Sequence, residues 1–296
     1  NSGVIFISID DNEFSNLKLL CDEIFKEQNF IANLVWEGGI KNDSKYISQS
    51  HDYILCYTKN KLLLRERKNR WRIRKSGIDL IYGQVEQLRK KHGKDYSKIS
   101  SNLKKWFNDL PKKDPVWEHR HYDEVDELGV YFSGDISWPG GDGPKYEILH
   151  PVTKRPVKIP AGGWRYSKKE TMMMHIKANK VNFGTDEKTI PTLKRYLHET
   201  EGQVLPSVLY KDRRAAKKML DSIMGSSVFE NPKDVEIIQK LIRMTTEKDD
   251  LILDFFAGSG TTGQAVLELN KEDDGNRKFI LCTNNEGDIC TEVCYP

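Results

Sequence analysis

The chain opens on Val4-Ile-Phe-Ile-Ser-Ile9, a dense apolar run with the pattern of a buried strand. Asp10-Asp-Asn12 then offers capping side chains to a helix whose apolar positions are Phe14, Leu17, Cys21, Ile24 and Phe25. Ile31-Ala-Asn-Leu-Val-Trp36 and Tyr53-Ile-Leu-Cys-Tyr57 read as further strands. Past Leu62 the pattern changes. Lys-rich, weakly periodic helices are expected over residues 78–91 and 99–110, followed by an irregular stretch of turns. Ser137-Trp-Pro-Gly-Gly-Asp-Gly-Pro144 and Pro160-Ala-Gly-Gly-Trp164 are loops by composition, with short strands expected at 146–149 and 157–159. After Leu205 the α/β alternation returns. Asn231-Pro232 reads as an N-cap with proline at the first helical position, ahead of the stripe Val235, Ile238, Leu241 and Ile242. A strand over 251–256, a helix over 263–269 and a strand over 279–283 follow. The expected fold class is α/β, with a loop-rich insertion of residues 62–205 between the parts 1–61 and 206–296. The first strand reads as the middle of a sheet whose opening strands lie elsewhere.

The candidate chemistry sits between the strand at 251–256 and the helix behind it, in Asp254-Phe-Phe-Ala-Gly-Ser-Gly-Thr-Thr-Gly263. A strand, a glycine-rich turn and a helix start present backbone N–H groups to a ligand. A Walker phosphate loop needs lysine and Ser/Thr after its last glycine, whereas Gly260 is followed by Thr261 and Thr262. Gly258-Ser-Gly260-Thr-Thr-Gly263 does match the dinucleotide pattern G-x-G-x-x-G. In that fold, however, the first glycine comes directly off an apolar strand, and here an Asp and two Phe intervene. The D-x-F-x-G-x-G form with Thr-Thr behind it resembles the S-adenosylmethionine loop of amino-methylating DNA methyltransferases. In such a loop glycines admit the cofactor close to the backbone, and the helix N-terminus favours its carboxylate.

Composition narrows the class. At 296 residues, 31% charged and with mean hydropathy −0.64, the chain is polar and can bury a substantial core. No apolar run approaches the roughly 18 residues of a membrane span. Cys21, Cys56, Cys282, Cys290 and Cys294 lack C-x-x-C spacing and read as free thiols of a reducing cytoplasm, with no metal site. Net charge is only +3, yet from Lys59 to Arg120 there are 19 Lys and Arg against 7 Asp and Glu. Arg65, Arg67, Lys68, Arg70, Arg72 and Arg74 cluster within that block around Trp71, which points to a polyanionic partner.

The order of these segments resembles the modification (Mod) subunit of type III restriction–modification systems. These are circularly permuted DNA adenine methyltransferases in which the cofactor loop comes last. The resemblance rests on Val4-Ile-Phe-Ile-Ser-Ile-Asp-Asp-Asn-Glu13, Ser50-His-Asp-Tyr-Ile-Leu-Cys-Tyr57, Gly162-Gly-Trp-Arg-Tyr166 and Asn231-Pro-Lys-Asp-Val-Glu-Ile-Ile238. The glycine turn and the tail from Arg277 to Glu286 complete it. It implies a Rossmann-like S-adenosylmethionine-dependent sheet interrupted by a target recognition domain at 62–205. It also implies a homodimer on double-stranded DNA in a prokaryotic cytoplasm, with a helicase–nuclease (Res) subunit as partner.

The resemblance assigns cofactor contacts to Asp254, Phe256, Gly258, Gly260 and Thr261. Pro232 and Lys233 would line the methionine end, and Glu286 would meet the ribose hydroxyls, with Asn284 or Asn285 as alternatives. DNA contacts fall to the Arg65 to Arg74 cluster for phosphates, and to Trp164 and Arg165 nearer the bases. Family members carry D-P-P-Y upstream of the segment that begins here, to hold the exocyclic amine and stack the flipped base. No Pro-Pro pair occurs in this sequence, and Asp114-Pro115-Val116-Trp117 lies in the basic insertion. No catalytic residue is therefore expected here; the chain reads as a methyltransferase inactive alone, either a fragment, which its start within a strand favours, or a degenerate copy. None of the seven histidines is expected to act as a base, because methyl transfer from a sulfonium depends on orientation and water exclusion. A non-catalytic specificity module that directs a nuclease is the alternative. A nicotinamide oxidoreductase would rest on G-x-G-x-x-G alone.

Overall fold

The computed structural model describes residues 3–39, 45–66 and 71–295. In chain order the elements are β1 (Val4–Ile9), α1 (Phe14–Phe25), β2 (Phe30–Glu37), β3 (His51–Thr58) and α2 (Lys61–Glu66). Then come β4 (Ile73–Arg74), α3 (Ile78–His92), α4 (Tyr96–Asp109), β5 (Glu124–Val125), β6 (Val130–Gly134) and α5 (Lys169–Lys177). Next are β7 (Val181–Asn182), β8 (Thr192–Tyr196), β9 (Gly202–Gln203), β10 (Val208–Tyr210), α6 (Arg213–Met224) and α7 (Val235–Thr245). Then follow β11 (Leu251–Asp254), α8 (Thr261–Asp273) and β12 (Lys278–Leu281), with short helical turns at Glu286–Asp288 and Cys290–Cys294 behind them. They fall into two compact units, one of residues 1–73 with 204–296 and one of residues 74–203. The expected insertion boundary at 62 is not where the units divide; α2 belongs to the first.

In the first unit, β3 lies between β1 and β2 and runs antiparallel to both, while β10 adds in parallel to the far edge of β2. Ile54, Leu55, Cys56, Tyr57 and Thr58 are all buried, as a strand covered on both faces requires. Leu55 and Tyr57 meet Phe14, Leu17, Cys21 and Phe25 of α1. Ile54 faces the other way, onto Leu34, Trp36, Leu209 and the α7 residues Ile237 and Leu241. Burial pushes the Cys56 thiol up to about 12, so it is a packing residue rather than a nucleophile. Two details of the expected first helix differ. Ile24 is exposed, and Asp10 folds back on the Asn12 N–H (3.0 Å) in a turn instead of capping α1.

The glycine turn belongs to a separate two-stranded parallel sheet, β11–β12. The single Rossmann-like sheet expected from the sequence is thus divided among the described strands, and α7 spans the division. Its Ile237 and Leu241 pack on the four-stranded sheet, while its Ile242 packs with Ala265, Val266 and Leu269 of α8. Asp234, not Asn231, caps α7 by accepting from the Ile237 N–H (3.2 Å), so Pro232 precedes the cap.

In the second unit, α3 and α4 join through Ile78, Ile81, Val85, Leu88, Ile99, Leu103 and Phe107. Asp95 caps α4 through the Lys98 N–H. Strands β5, β6, β8 and β7 form an antiparallel sheet in that order. The strands expected at 146–149 and 157–159 reduce to a single bridge between Leu149 and Pro156. Pro151, Pro156 and Pro160 have no N–H to extend a ladder. Among the described residues no helix is long and apolar enough to cross a membrane.

Asp126 is the electrostatic anchor of this unit. Its carboxylate accepts from Lys194 Nζ (2.8 Å) and from the Tyr196 hydroxyl (2.7 Å). Burial pushes the Asp126 pKa up, but those two hydrogen bonds prevail and hold it below the ordinary carboxylate value. Asp126→Ala would leave a mostly buried lysine unpaired and is expected to destabilise the unit by about 2–4 kcal/mol, read by chemical denaturation. Burial also lowers the pKa values of His119, His121 and His175 below 6.5. The unfolded chain then binds protons that the folded chain resists, so stability falls as pH drops through and below about 6.5. Melting temperature measured from pH 7.5 to 5.5 should decline, and His119→Gln should flatten the decline.

Candidate functional site

Strand β11 ends at Asp254, and its carboxylate closes the turn that follows. One oxygen accepts the Phe256 N–H (3.0 Å) and the other accepts the Thr262 hydroxyl (2.6 Å), across the whole glycine segment. From just past β12, the Cys282 N–H donates to the Asp254 carbonyl (2.8 Å), and its carbonyl accepts the Ala257 N–H (3.1 Å). Gly258 and Gly260 have φ of +52° and +79°, the left-handed region that L side chains resist. Gly263 serves differently: a Cβ there would lie 3.1 Å from Leu281 and 3.2 Å from Phe279, so it lets α8 lie close on β12.

Gly260 is the N-cap of α8 and supplies no side-chain cap to the first turn. The leading N–H groups and the positive end of the helix dipole therefore favour an external acceptor. The segment before α7 meets this helix start. Thr261 donates its hydroxyl proton to the Lys233 carbonyl (3.4 Å), and Pro232 beside it is buried. The Lys233 ammonium reaches Asp52 on β3 (3.2 Å) and lies 5.4 Å from the centre of the Trp36 ring.

Asp254, Gly258, Gly260, Thr261, Pro232 and Lys233 thus converge. Phe256 sits at the same turn, 85% exposed, beside Phe255. Glu286 is different: it lies exposed on the loop after β12 and accepts a hydrogen bond from the neighbouring Asn284 amide (3.4 Å). Asn285 is occupied by the N–H groups of Cys290 and Thr291. Two clefts of about 700 and 610 Å³ lie in the second unit, the first along α5 and the second between Lys104, Arg120 and His121. The glycine turn is half-buried, with the Phe229 ring near Gly258 and the Cys294 carbonyl near Gly260.

The basic cluster is only partly visible. Arg67, Lys68 and Arg70 lie outside the described residues. Arg65 is exposed on α2, and Arg72 is bonded to the Trp71 carbonyl (3.0 Å). Arg74 grips Asp79 with both terminal nitrogens (2.5 and 2.7 Å) and Glu201 with Nε (3.3 Å), leaving little of its fork for a phosphate. Trp164 is corrected outright: it is fully buried in the core with Ile136 and Met172, and its indole donates to the Tyr146 carbonyl (2.7 Å). Arg165 next to it is exposed. Sequence reasoning passed over Arg120, whose guanidinium lies 3.5 Å over Trp117 with its outer edge in solvent. The spacing Trp-x-x-Arg in a short helical turn was the available signal.

Residues 1–291 match the N6/N4 DNA methylase family. The chain belongs to that family. Among curated relatives, the Mod subunit of the type III restriction–modification enzyme EcoP15I of Escherichia coli is 36% identical over 289 residues. The Salmonella typhimurium StyLTI Mod subunit is 33% identical, and the type II methyltransferase M.KpnI of Klebsiella pneumoniae 30%. These alignments cover 96%, 96% and 100% of the chain, but 43%, 38% and 65% of the relatives. A crystal structure of an M1.HpyAVI–SAM complex aligns with 96% of this methylase chain and 70% of its own, at TM-score 0.34 and 12% identity.

Two substitutions should separate the glycine roles. Gly263→Val is expected to lower the melting temperature, because its side chain must push apart α8 and β12. Gly260→Val would strain the turn by about 1–2 kcal/mol and should weaken cofactor binding more than it weakens the fold. Parallel melting and binding titrations check both.

Proposed function

We propose that this chain is part of a type III modification subunit, the site-specific methyltransferase that places a methyl group on adenine N6 in duplex DNA. The observation that carries the reading is the Asp254-clamped glycine turn, joined by Pro232-Lys233, in a chain of the DNA methylase family. S-adenosylmethionine supplies an electrophilic methyl on a sulfonium. Gly258 and Gly260 admit it to the backbone, the start of α8 favours its carboxylate, and Lys233 lies on the methionine side. The exposed Phe256 ring offers an apolar surface, and Glu286 is assigned to the ribose hydroxyls. The unit of residues 74–203 serves as target recognition domain, with Arg120 and Arg165 joining Arg65 and Arg72 as DNA contacts. Trp164 acts there only as core.

The 296 residues hold no D-P-P-Y tetrapeptide, so we infer that the chain does not transfer methyl groups by itself. The working enzyme is then a Mod homodimer in a prokaryotic cytoplasm, associated with a Res subunit. A second reading is a non-catalytic DNA-binding specificity module that directs a restriction nuclease.

Calorimetric titration with S-adenosylmethionine separates the two. Binding by the parent chain and none by a folded Gly258→Val/Gly260→Val double variant is the expected result; no binding by the folded parent would mean that the site needs a further segment or that the specificity-module reading is right. For DNA, replacing Arg65, Arg72, Arg120 and Arg165 by Ala should reduce the slope of log affinity against log salt by about 0.9 per lost phosphate contact. An unchanged slope would remove these residues from the interface.

A further inference from the structure

Lys233 is held at both ends by groups from different elements. Its carbonyl accepts the Thr261 hydroxyl at the start of α8, and its ammonium donates to Asp52 Oδ2 (3.2 Å) over the Trp36 ring. Asp52 is well placed to hold it. It sits in the middle sheet strand, directly across from Trp36 in the β2–β3 register, with its side chain only 14% exposed. Trp36 is itself buried and anchored by its indole N–H on the Lys211 carbonyl (3.2 Å). A lysine stem otherwise samples many rotamers, and ordering it when a ligand arrives costs affinity. An ammonium has three donors, so one bond to Asp52 leaves donors for a ligand carboxylate.

We propose that Asp52 is a positioning residue for the methionine end of the cofactor: it pre-places the ammonium of Lys233, the residue whose carbonyl meets the start of α8, to receive the cofactor's carboxylate. The proposal rests on the cofactor reading above and adds to it a residue on a distant strand. The role runs through Lys233 and concerns ligands that carry the amino-acid end.

Two ligands separate this role from a structural one. S-adenosylhomocysteine carries the amino-acid end, whereas 5′-methylthioadenosine keeps the adenosine and thioether without it. By calorimetry, Asp52→Asn should weaken S-adenosylhomocysteine about tenfold, the scale of one ordered ion pair, and leave methylthioadenosine unchanged. Asp52→Glu should restore part of the loss, and Asp52→Asn/Lys233→Met should bind no more weakly than Lys233→Met. Equal weakening of both ligands would make Asp52 a structural residue and overturn the proposal, as would multiplying losses in the double variant. Lys233→Met, at a side chain 40% exposed, covers the case in which Asp52→Asn does not fold: unchanged S-adenosylhomocysteine affinity there also overturns it. A parent that binds neither ligand overturns the cofactor reading itself. A parent that binds both, with Asp52→Asn indistinguishable from it, overturns only the role of Asp52.

Discussion

Helix α7 is the constraint on which the first unit depends. Its two sheets share no strand pairing among the described residues, so their relation is set by side-chain packing rather than by a hydrogen-bond ladder. Ile237 and Leu241 commit one side of α7 to the four-stranded sheet, and Ile242 commits another to α8. The residues just before the helix then fall at the glycine turn. Burial of three large aliphatic side chains stabilises this arrangement by several kcal/mol on the usual area scale. That exceeds what the weak Thr261 to Lys233 hydrogen bond contributes. The packing therefore sets the geometry, and the polar contacts refine it.

The turn shows why a motif is more than its glycines. Gly258 and Gly260 are required by backbone conformation, Gly263 by the approach of Leu281 and Phe279. Asp254 has its carboxylate oxygens engaged by Phe256 N–H and Thr262. It acts first as the clasp of the loop, and any contribution to the ligand comes through the shape it imposes. The Thr-Thr pair divides its labour in the same way: Thr262 closes the clasp, while Thr261 joins α8 to the segment before α7.

Much of this was legible in the sequence, for identifiable reasons. β1, β2, β3 and β11 are short apolar runs whose period and composition leave one reading, and Gly258 to Gly263 mark a turn wherever they occur. Helix starts were less legible. Asp234 and Asn231 are both capping residues, and the choice between them depended on which could reach an N–H three residues on. The strands expected at 146–149 and 157–159 failed because three prolines withhold donors that period-2 reasoning does not count. Trp164 misled for a related reason. A tryptophan in a glycine-rich loop looks exposed, yet the positive-φ Gly163 lets the backbone fold tightly enough to put the indole inside.

Charge was the least legible property, because sequence counts cations without their partners. Arg74 belonged to a conspicuous basic run, but Asp79 and Glu201 hold its guanidinium as a structural fork. Arg120 attracted no notice and turns out to be braced on Trp117 with its edge outward. A guanidinium stacked on an indole loses less entropy on meeting an anion than a free side chain does, so it is better suited to contact than its neighbours in the run. The same reasoning applies to Lys233. In the sequence it is one cation in a segment of mixed charge; in the fold, Asp52, Trp36 and Thr261 hold it from three sides. In both cases the fold decides how firmly a charge is held: Trp117 braces Arg120 from three residues away, whereas the partners of Lys233 lie far away along the chain.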